Sequence, residues 1–398
     1  MKDNLVLNIL GRKNSFIEQD YNNCLQNIKK EVKKSRIIIL GGSGSIGSAV
    51  VELLCKYDPM LLHVIDINEN GLVELVRNIR STIGYTNGEF KTFVMDIGHQ
   101  DFESFIDQNK DYDIWMNFSA LKHVRSEKDP YTLMRLIDAN IINTYKTLML
   151  AKKTNVKKYF SVSTDKAANP INLMGASKRV MEMILGEFSN HINTSSARFG
   201  NVAFSNGSLL HGMVNRFYNK QPFVAPKDVM RYFLTSTEAA KLSILSTFSG
   251  KNGELFIPKI ELKKIEKSFP EIAKNFLKYN GYEMYTCTSE DEARNNIEAL
   301  LKKKKWPCYL FDTDTDGEKL EEIFIGNEEK TIKNKFDSLQ IIDIKNLTNL
   351  TKIEHFIKSI NILRSNKTWS VKEVSSLMKL LIKDFKHHHT GKSLDGKM

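Results

Sequence analysis

The sequence contains little cysteine and no long apolar run. Among its 398 residues there are four cysteines, with no Cys-x-x-Cys pair and no histidine nearby at metal-ligand spacing. Nowhere do 18 apolar residues follow one another, and the first stretch, "MKDNLVLNILGRKNSFIEQD", is too polar for a signal peptide. We therefore expect reduced thiols, no metal site and a soluble, cytoplasmic protein without membrane insertion. The cysteines are Cys24, Cys55, Cys287 and Cys308.

The charge of the chain is positive but dispersed. Lysine and arginine exceed aspartate and glutamate by 58 to 47, a formal net charge of +11. The basic residues are scattered among acidic ones, and the densest run, 302–305, ends a helix-like segment. This distribution predicts no nucleic-acid partner, whereas a small anionic ligand suits a basic protein.

The pattern of apolar residues predicts the fold class. From residue 36, short aliphatic runs ("RIIIL", "LLHVIDI", "FKTFVMDI", "YDIWMNF", "KKYFSVS", "TSSARFG") alternate with segments of helical periodicity. Strands that are almost wholly apolar and separated by helices are typical of a parallel sheet covered on both faces. We therefore predict an α/β protein with a doubly wound parallel sheet, a Rossmann domain, over residues 36–215. A helical extension is predicted at 1–35, a smaller substrate-binding part at 216–330 and a helical C-terminal extension at 331–398.

A glycine-rich turn, "LGGSGSIGSAV", directly follows the first predicted strand. Gly41, Gly44 and Gly47 have the spacing at which a backbone turns tightly beside a pyrophosphate at the start of a helix. Asp66 ends the second strand, where a carboxylate binds the adenosine ribose and repels a 2′-phosphate. The combination predicts a dinucleotide site for NAD rather than NADP. Alternatively, Asp66 is only a turn residue with Asn68.

Further NAD contacts are expected from loops at the carboxyl ends of the third and fourth strands, because ligands lie at this edge of an open parallel sheet. "VMDIGH" contributes Asp96 near the adenine, and "NFSALKHVRSEKDP" lies at the nicotinamide half. In the second loop His123 is either a substrate contact or a structural histidine. The residues predicted to bind NAD are Gly41, Ser43, Gly44, Ser45, Ile46, Gly47, Asp66, Asn68, Asp96, Ile97, Ala120, Lys122 and Lys178.

The stretch "SVSTDKAANPINLMGASKR" carries the candidate catalytic residues. Thr164, Asp165 and Lys166 follow the fifth strand, and Met174 and Lys178 lie one helical turn apart on the next helix. An acid beside an amine can give and take protons. The alternative is a polar loop that caps the next helix.

Residues 36–258 resemble the extended short-chain dehydrogenase/reductases, and among them the nucleotide-sugar 4,6-dehydratases of bacterial polysaccharide biosynthesis that act on UDP-N-acetylglucosamine. The resemblance rests on "GGSGSIGS", "SALKHVRSEKDP", "STDKAANPINLMGASKR", "RFGNVAFSNGS" and "MRYFLTSTEAA", in this order. "TDTDGEKLEEIF" and "HHHTGKSLDGKM" further resemble dehydratases of legionaminic acid pathways, some of which use a GDP-linked sugar.

The resemblance implies a reaction and a role for each catalytic candidate. Hydride moves from sugar C4 to NAD, the C5 proton is removed, the C6 hydroxyl leaves as water, and hydride returns to C6. Thr164 would hold the 4-hydroxyl, Asp165 would protonate the leaving hydroxyl and Lys166 would take the C5 proton, with burial and Lys178 shifting their pKa values. Lys178 would also hold the nicotinamide ribose.

Met174 departs from the Tyr-x-x-x-Lys pattern usual in this group of proteins. A thioether can neither donate nor accept a proton. Within the resembling family, methionine here accompanies retention of configuration at C5. Alternatively, Met174 only fills space in the core.

The resemblance also implies substrate contacts and an assembly. Asn201 and Arg231 would lie near the sugar diphosphate, and Glu318 and Lys319 would close over the nucleotide unless they are only a charged helix start. The helices of "PYTLMRLIDANIINTYKTLMLAKK" and "MGASKRVMEMILGEF" would pair between subunits, predicting at least a homodimer.

The predicted function is therefore a retaining UDP-N-acetylglucosamine 4,6-dehydratase for bacterial surface glycans. Three alternatives stay open. They are a dehydratase of a GDP-linked sugar, a nucleotide-sugar 4-epimerase, and an NAD-binding regulator without catalysis.

Overall fold

The computed structural model describes residues 3–259, 265–313, 321–345, 347–383, 385 and 387. Its strands, numbered in chain order, are β1 (Arg36–Leu40), β2 (Leu61–Asp66), β3 (Glu89–Val94), β4 (Ile114–Asn117), β5 (Lys158–Thr164), β6 (Asn193–Phe199), β7 (Asn201–Val202), β8 (Phe223–Pro226), β9 (Met230–Leu234), β10 (Glu254–Pro258), β11 (Glu266–Ser268), β12 (Glu283–Cys287), β13 (Lys305–Phe311), β14 (Thr331–Ile332) and β15 (Leu339–Asp343).

The helices over the same described ranges are α1 (Asp3–Ile9), α2 (Glu18–Val32), α3 (Ser45–Cys55), α4 (Glu69–Thr82), α5 (Gln100–Gln108), α6 (Pro130–Ile137), α7 (Asn143–Lys153), α8 (Leu173–Phe188), α9 (Leu209–Tyr218), α10 (Ser236–Ser249), α11 (Phe269–Tyr279), α12 (Glu290–Asn295), α13 (Ile297–Lys302), α14 (Leu350–Ser365) and α15 (Val371–Leu381). A π-helical turn, Asp138–Ile142, joins α6 to α7, and 3-10 turns cover Val124–Glu127 and Asp165–Ala167.

The central sheet has the order β14-β15-β10-β6-β5-β4-β1-β2-β3. From β3 to β10 neighbouring strands are parallel, whereas β15 and β14 add antiparallel pairs at one edge. The strands β1 and β4 are buried almost throughout, as expected for a sheet with helices on both faces. The predicted doubly wound fold is therefore confirmed, and its topological switch point lies between β1 and β4.

A second part lies beyond the carboxyl ends of these strands. It holds two small sheets, β12-β13-β8 and β11-β9-β7, around an apolar cluster that includes Phe223, Phe276 and Trp306. In contrast to the predicted divisions at 215 and 330, the chain returns to the central sheet with β10, β14 and β15. The reason is apolar burial, since β10 is buried along its whole length beside β6.

The N-terminal extension consists of α1 and α2, which pack on α11 and α10 of the same chain. All four cysteines are free and buried. Among the described residues, no helix combines the length and the apolar character that crossing a bilayer requires.

The C-terminal helices cover α8. Ile353, Phe356 and Ile360 of α14 and Val374 and Met378 of α15 belong to the same buried cluster as the apolar residues of α8. All residues of α8 except Arg179 and Glu187 are buried. The predicted pairing of two subunits through this helix would therefore need a face that the chain already covers, and the prediction of an oligomer stays untested.

Polar contacts fix α14 and α15 in this position. Glu187 of α8 accepts a hydrogen bond from the backbone N–H of Leu350 at 3.1 Å. Tyr145 of α7 donates to Glu354 at 3.0 Å, and the Trp369 indole donates to the carbonyl of Pro130 at 2.8 Å. These contacts bind both C-terminal helices to the Rossmann domain.

We expect Ile360→Ala to lower the free energy of unfolding by about 2–4 kcal/mol, because it empties space in a packed core. Ile362 lies on the same helix but is 51% exposed, whereas Ile360 is 0% exposed. Ile362→Ala, the control, should change stability by less than about 0.5 kcal/mol. Urea unfolding of the variants measures the difference, and equal losses would show that α14 is not anchored as described.

Candidate active site

The turn between β1 and α3 forms one wall of the candidate site. Gly41 has a φ of 75°, and a Cβ there would lie 2.5 Å from the backbone nitrogen of Ser119. A Cβ on Gly47 would lie 2.4 Å from the carbonyl oxygen of Gly41. Both positions therefore require glycine. Ser45 begins α3, so the free backbone N–H groups of that helix face the crevice, with Ile46 half-buried in its first turn.

Asp66 lies beside this turn. Its carboxylate accepts hydrogen bonds from the backbone N–H of Ser43 at 2.9 Å and of Asn68 at 3.0 Å. Asn68 also caps α4 through the N–H of Gly71 at 3.0 Å. The structure thus brings together the predicted pyrophosphate and ribose residues at one edge of the sheet.

The loops after β3 and β4 complete this side. Asp96 pairs with Arg135 at 2.9 Å, and Ile97 is buried beside it.

In the loop after β4, Lys122 lies two residues beyond Ala120. Its Nζ donates a hydrogen bond to the carbonyl of Asn206 at 2.9 Å. The N–H of Asn206 donates to Ser45 Oγ at 2.9 Å, which joins the loop after β7 to the glycine-rich turn. Burial lowers the pKa of His123, and the neighbouring Lys122 and Arg125 lower it further.

The catalytic candidates Thr164, Asp165 and Lys166 lie where β5 ends. Thr164 Oγ1 donates to Asp165 Oδ1 at 2.7 Å, and Lys166 Nζ lies 3.3 Å from both oxygens of the same carboxylate. Asp165 is 2% exposed, whereas the Lys166 side chain is 29% exposed, so the acid is buried and the amine is partly open to solvent.

The charges around Lys166 differ from the sequence-based expectation. We expected burial and Lys178 to shift its pKa toward the neutral amine. Burial does lower the pKa of Lys166, but the carboxylates of Asp165 and Glu322 outweigh burial and Arg231, so the net pKa is raised. This direction favours the charged ammonium form of Lys166.

Met174 and Lys178 lie on α8, facing the same region. Met174 is 3% exposed and its backbone N–H donates to Glu127 Oε1 at 2.9 Å. Lys178 Nζ donates to the carbonyl of Val162 at 3.0 Å. Burial lowers the pKa of Lys178 to about 8, although the Glu182 carboxylate opposes this shift. Near neutral pH Lys178 therefore loses its proton more easily than an exposed lysine.

A carboxylate that the sequence analysis did not identify joins the two predicted substrate residues. Glu322 Oε1 accepts a hydrogen bond from Asn201 Nδ2 at 3.0 Å, and Arg231 Nε lies 3.9 Å from the same oxygen. In the sequence analysis, this region was noted only through the segment "TDTDGEKLEEIF" and its resemblance to dehydratases; Glu322 itself was not identified as a site residue. The predicted residues Glu318 and Lys319 lie outside the described residues.

A buried ion network anchors the segment that carries Glu322. Arg198 is 0% exposed and donates to Glu182 at 2.7 and 2.8 Å and to Glu329 at 2.6 and 2.7 Å. It also donates to the carbonyl of Phe324 at 2.6 Å. Burial raises the pKa of Glu329, but the hydrogen bonds and charge of Arg198 outweigh it and hold the pKa at about 2.

The strand order and the loops at its switch point define a Rossmann-like doubly wound protein, in which a ligand binds at this edge of the sheet. The chain belongs to the family described as polysaccharide biosynthesis protein, whose profile matches residues 37–344. Both findings confirm the resemblance seen in the sequence.

Three curated relatives are similar to this chain. The capsular polysaccharide biosynthesis protein CapD of Staphylococcus aureus is 30% identical over 260 residues, 64% of this chain and 42% of CapD. The chain thus spans less than half the length of CapD. A UDP-N-acetylglucosamine 4,6-dehydratase (inverting) of Campylobacter jejuni is 28% identical over 250 residues, covering 61% and 72%. A UDP-glucose 4-epimerase of Rickettsia bellii is 28% identical over 238 residues, covering 58% and 67%.

Two solved structures share the fold. Pen from Bacillus thuringiensis has a TM-score of 0.65 at 21% identity, covering 80% of this chain and 90% of Pen. The dTDP-glucose 4,6-dehydratase DesIV from Streptomyces venezuelae, solved with NAD and TYD bound, has a TM-score of 0.56 at 15% identity, covering 84% and 98%. At these identities the likeness shows the fold alone.

We expect Glu329→Gln to lower the free energy of unfolding by about 2–3 kcal/mol at pH 7, because charged hydrogen bonds to Arg198 are weakened. The folded-state pKa of Glu329 lies below its ordinary value of about 4.5. The stabilisation is therefore present above about pH 4.5 and lost as the pH falls toward 2. Urea unfolding should therefore show that the free energies of unfolding of the native protein and Glu329→Gln become more alike as the pH falls from about 4.5 toward 2.

Glu328→Gln is the matched control, because the Glu328 side chain is 81% exposed. It should leave stability unchanged. An equal loss in both variants would contradict the structural role of Glu329.

Proposed function

We propose that this chain is an NAD-dependent nucleotide-sugar 4,6-dehydratase. It converts UDP-N-acetylglucosamine to the UDP-linked 4-keto-6-deoxy sugar with retention at C5, in the cytoplasm, for bacterial surface glycans. The observation that carries the proposal is the contact between the buried Asp165 and Lys166 at the carboxyl end of β5, with Lys178 on the adjacent helix. The family, whose relatives include a dehydratase and an epimerase of UDP-sugars, supports the substrate class.

The residues of the glycine-rich turn fit a dinucleotide. The absent Cβ atoms of Gly41 and Gly47 let the turn close tightly, and the start of α3 offers backbone N–H groups to a pyrophosphate. Gly44 is the N-cap of this helix, and Ser45 is its first residue. Asp66 is placed for a ribose with free hydroxyls, which favours NAD over NADP. When bound, NAD supplies the hydride acceptor and donor for the sugar.

The Asp165–Lys166 pair can supply the acid and the base together. Transfer of one proton from Lys166 to Asp165, across 3.3 Å, creates a carboxylic acid and a neutral amine without changing the total charge of the pair. Lys166 then takes the C5 proton and Asp165 protonates the departing 6-hydroxyl, which leaves as water. Elimination thus leaves an ammonium and a carboxylate, and when hydride returns to C6, Lys166 returns its proton to C5. A proton taken from solvent then restores the ammonium, and it balances the proton that the 4-hydroxyl, held by Thr164, released to solvent when C4 was oxidised.

Retention at C5 follows if a single base acts on one face of the sugar. Lys166 would remove the C5 proton and return it to the same face, because the buried Met174 offers no proton from another side. The Campylobacter jejuni relative is described as inverting. Stereochemistry is therefore the point at which this chain is proposed to differ from that relative.

Incubation of the purified protein with UDP-N-acetylglucosamine tests the function directly. Loss of one water mass supports the dehydratase, an isomer of unchanged mass supports a 4-epimerase, and an unchanged substrate supports a regulator without catalysis. The epimerase stays an alternative because the Rickettsia bellii relative is one. The same incubation with the GDP-linked sugar distinguishes the two nucleotides.

The cofactor proposal predicts that denatured protein releases NAD and not NADP. Asp66→Ala should lower the fraction of protein that retains NAD, because a ribose partner is lost. Glu74→Gln, which changes a carboxylate that is 71% exposed on α4, is the control and should retain NAD. Mass spectrometry of the released nucleotide measures both, and NADP as the sole nucleotide would overturn the proposal.

The catalytic roles predict different losses in three variants. Asp165→Asn should bind substrate but not eliminate water, because an amide cannot protonate a leaving hydroxyl. Lys166→Met should stop exchange of the C5 hydrogen with solvent. Met174→Ala is the control within the same site. It should retain much of the activity, because it removes packing contacts but no acid or base. Single-turnover mass spectrometry in heavy water follows both steps.

Full turnover by Asp165→Asn, or C5 exchange by Lys166→Met, would show that the roles belong to other residues. Loss of all activity in Met174→Ala, with an unchanged thermal unfolding temperature, would show that Met174 does more than pack.

A further inference from the structure

The loop that joins Asp165 and Lys166 to α8 is bound by a distant segment of the chain through a pair of asparagines. Asn169, in this loop, donates from Nδ2 to Asn327 Oδ1 at 2.9 Å. In return, the backbone N–H of Asn327 donates to Asn169 Oδ1 at 3.0 Å. Two hydrogen bonds that run in opposite directions fix both the distance and the orientation of the two residues, which lie 158 positions apart in sequence.

Asn169 has a backbone conformation that surrounding contacts must hold. Its φ is 46°, in the left-handed region that residues other than glycine rarely occupy. Such a conformation persists where the neighbouring structure stabilises it. Asparagine tolerates it better than most residues, and here both polar atoms of the side chain bind Asn327. The contact thus fixes the turn of the chain between Lys166 and α8.

The turn that carries Asn327 is itself fixed. Glu329 accepts a hydrogen bond from the backbone N–H of Gly326 at 2.6 Å and binds the buried Arg198. A Cβ on Gly326 would lie 3.2 Å from both Asn169 Oδ1 and Glu329 Oε2, so this turn packs closely against the loop. Asn169 is therefore bound to a part of the chain that the ion network of Arg198 holds in place.

The start of α8 contacts the same loop from its other end. A Cβ on Gly175 would lie 2.3 Å from the carbonyl oxygen of Lys166, so the helix touches the backbone of that residue. Asn172 caps α8 by accepting the N–H of Gly175 at 2.7 Å. Because Asn169 follows Lys166 by three residues, a displacement at Asn169 moves the backbone that carries the amine.

We propose that Asn327 is a positioning residue for the proposed dehydration. Through Asn169 it holds the loop in the conformation in which Asp165 and Lys166 lie 3.3 Å apart, so that a proton can pass between them. The asparagines transfer no proton themselves, and they act by fixing the backbone that carries the acid and the base. The inference rests on the proposed function and adds to it a residue from a distant segment.

Hydrogen exchange in the loop tests the contact without an assay of activity. Asn327→Ala removes the acceptor for Asn169 Nδ2 and leaves the sequence of the loop unchanged. The backbone amides of 165–172 should then exchange about three- to tenfold faster than in the native protein, as followed by mass spectrometry of peptides. Asn327→Asp keeps an oxygen as acceptor and should exchange at the native rate. An unchanged rate in Asn327→Ala would refute the inference.

Steady-state kinetics tests what the contact does for the reaction. Asn169→Gly loses both hydrogen bonds, whereas glycine adopts a φ of this sign without strain. We expect kcat for UDP-N-acetylglucosamine to fall about tenfold, with KM and the thermal unfolding temperature unchanged. Asn327→Ala should lower kcat about three- to tenfold, and Asn327→Asp should restore it. If Asn169→Gly keeps the native kcat, Asn169 serves only its backbone conformation and the inference is wrong.

A double variant shows whether the two asparagines act through each other. Asn169→Gly combined with Asn327→Ala should lose no more activity than Asn169→Gly alone, because the second change removes a contact that is already lost. An additional loss would mean that the residues act separately, which counts against the inference. A fall in kcat that is matched by a fall in the thermal unfolding temperature would show a purely structural role and would also count against it.

Asn334→Ala is the matched control. The Asn334 side chain accepts the N–H of Phe336 at 2.8 Å, a hydrogen bond within its own turn. Its loss should change neither kcat nor exchange in the loop, and a change in either would show that the effects are not specific to Asn327. If the native protein does not dehydrate the sugar while Asn327→Ala still speeds exchange, the proposed function fails and the contact remains a support of the loop.

Discussion

The geometry of the candidate site depends on one buried arginine. Arg198, at the carboxyl end of β6, pairs with Glu182 of α8 and with Glu329, and Ser163 of β5 donates to Glu182 at 2.6 Å. The strand that leads to Asp165, the helix that carries Lys178 and the segment that carries Glu322 therefore meet at one cation. Buried charges stabilise a fold only when each has a partner, so the loss of one member would disturb all three elements.

The same arrangement gives neighbouring ionisable groups different properties. Lys178 donates to the carbonyl of Val162 and lies near the Met181 sulfur, and burial lowers its pKa to about 8. Lys166, in the same region of the cleft, is paired with Asp165, and its pKa is raised. The two lysines thus have opposite pKa shifts because Lys166 lies 3.3 Å from the Asp165 carboxylate, whereas burial is the main influence on Lys178. A pair of zero total charge can exchange a proton internally, which suits a cycle that begins and ends with the same protonation state.

Local sequence patterns predicted the parts of the fold that depend on local contacts. The sheet from β1 to β6, the glycine-rich turn and the place of Asp66 each follow from periodicity or spacing over fewer than about 20 residues. The partners that join distant segments were not predictable in this way. Glu322 reaches Asn201 across 121 residues, and β15 pairs with β10 after a long excursion. The spacing of apolar residues predicts which of them share a face of one helix or strand. It does not predict which later segment of the chain packs on that face.

The C-terminal helices show how such a distant contact changes the meaning of a local pattern. The apolar face of α8 was predicted to pair with a second subunit, but α14 and α15 of the same chain pack with α8 in one buried cluster. His387, beyond α15, lies 2.9 Å from Glu127 Oε2, while Glu127 Oε1 accepts the N–H of Met174 at the start of α8. The C-terminal segment therefore contacts α8 near its end at Glu187 and, through Glu127, near its start at Met174. In this chain the packing of α8 therefore depends on residues more than 150 positions away in sequence.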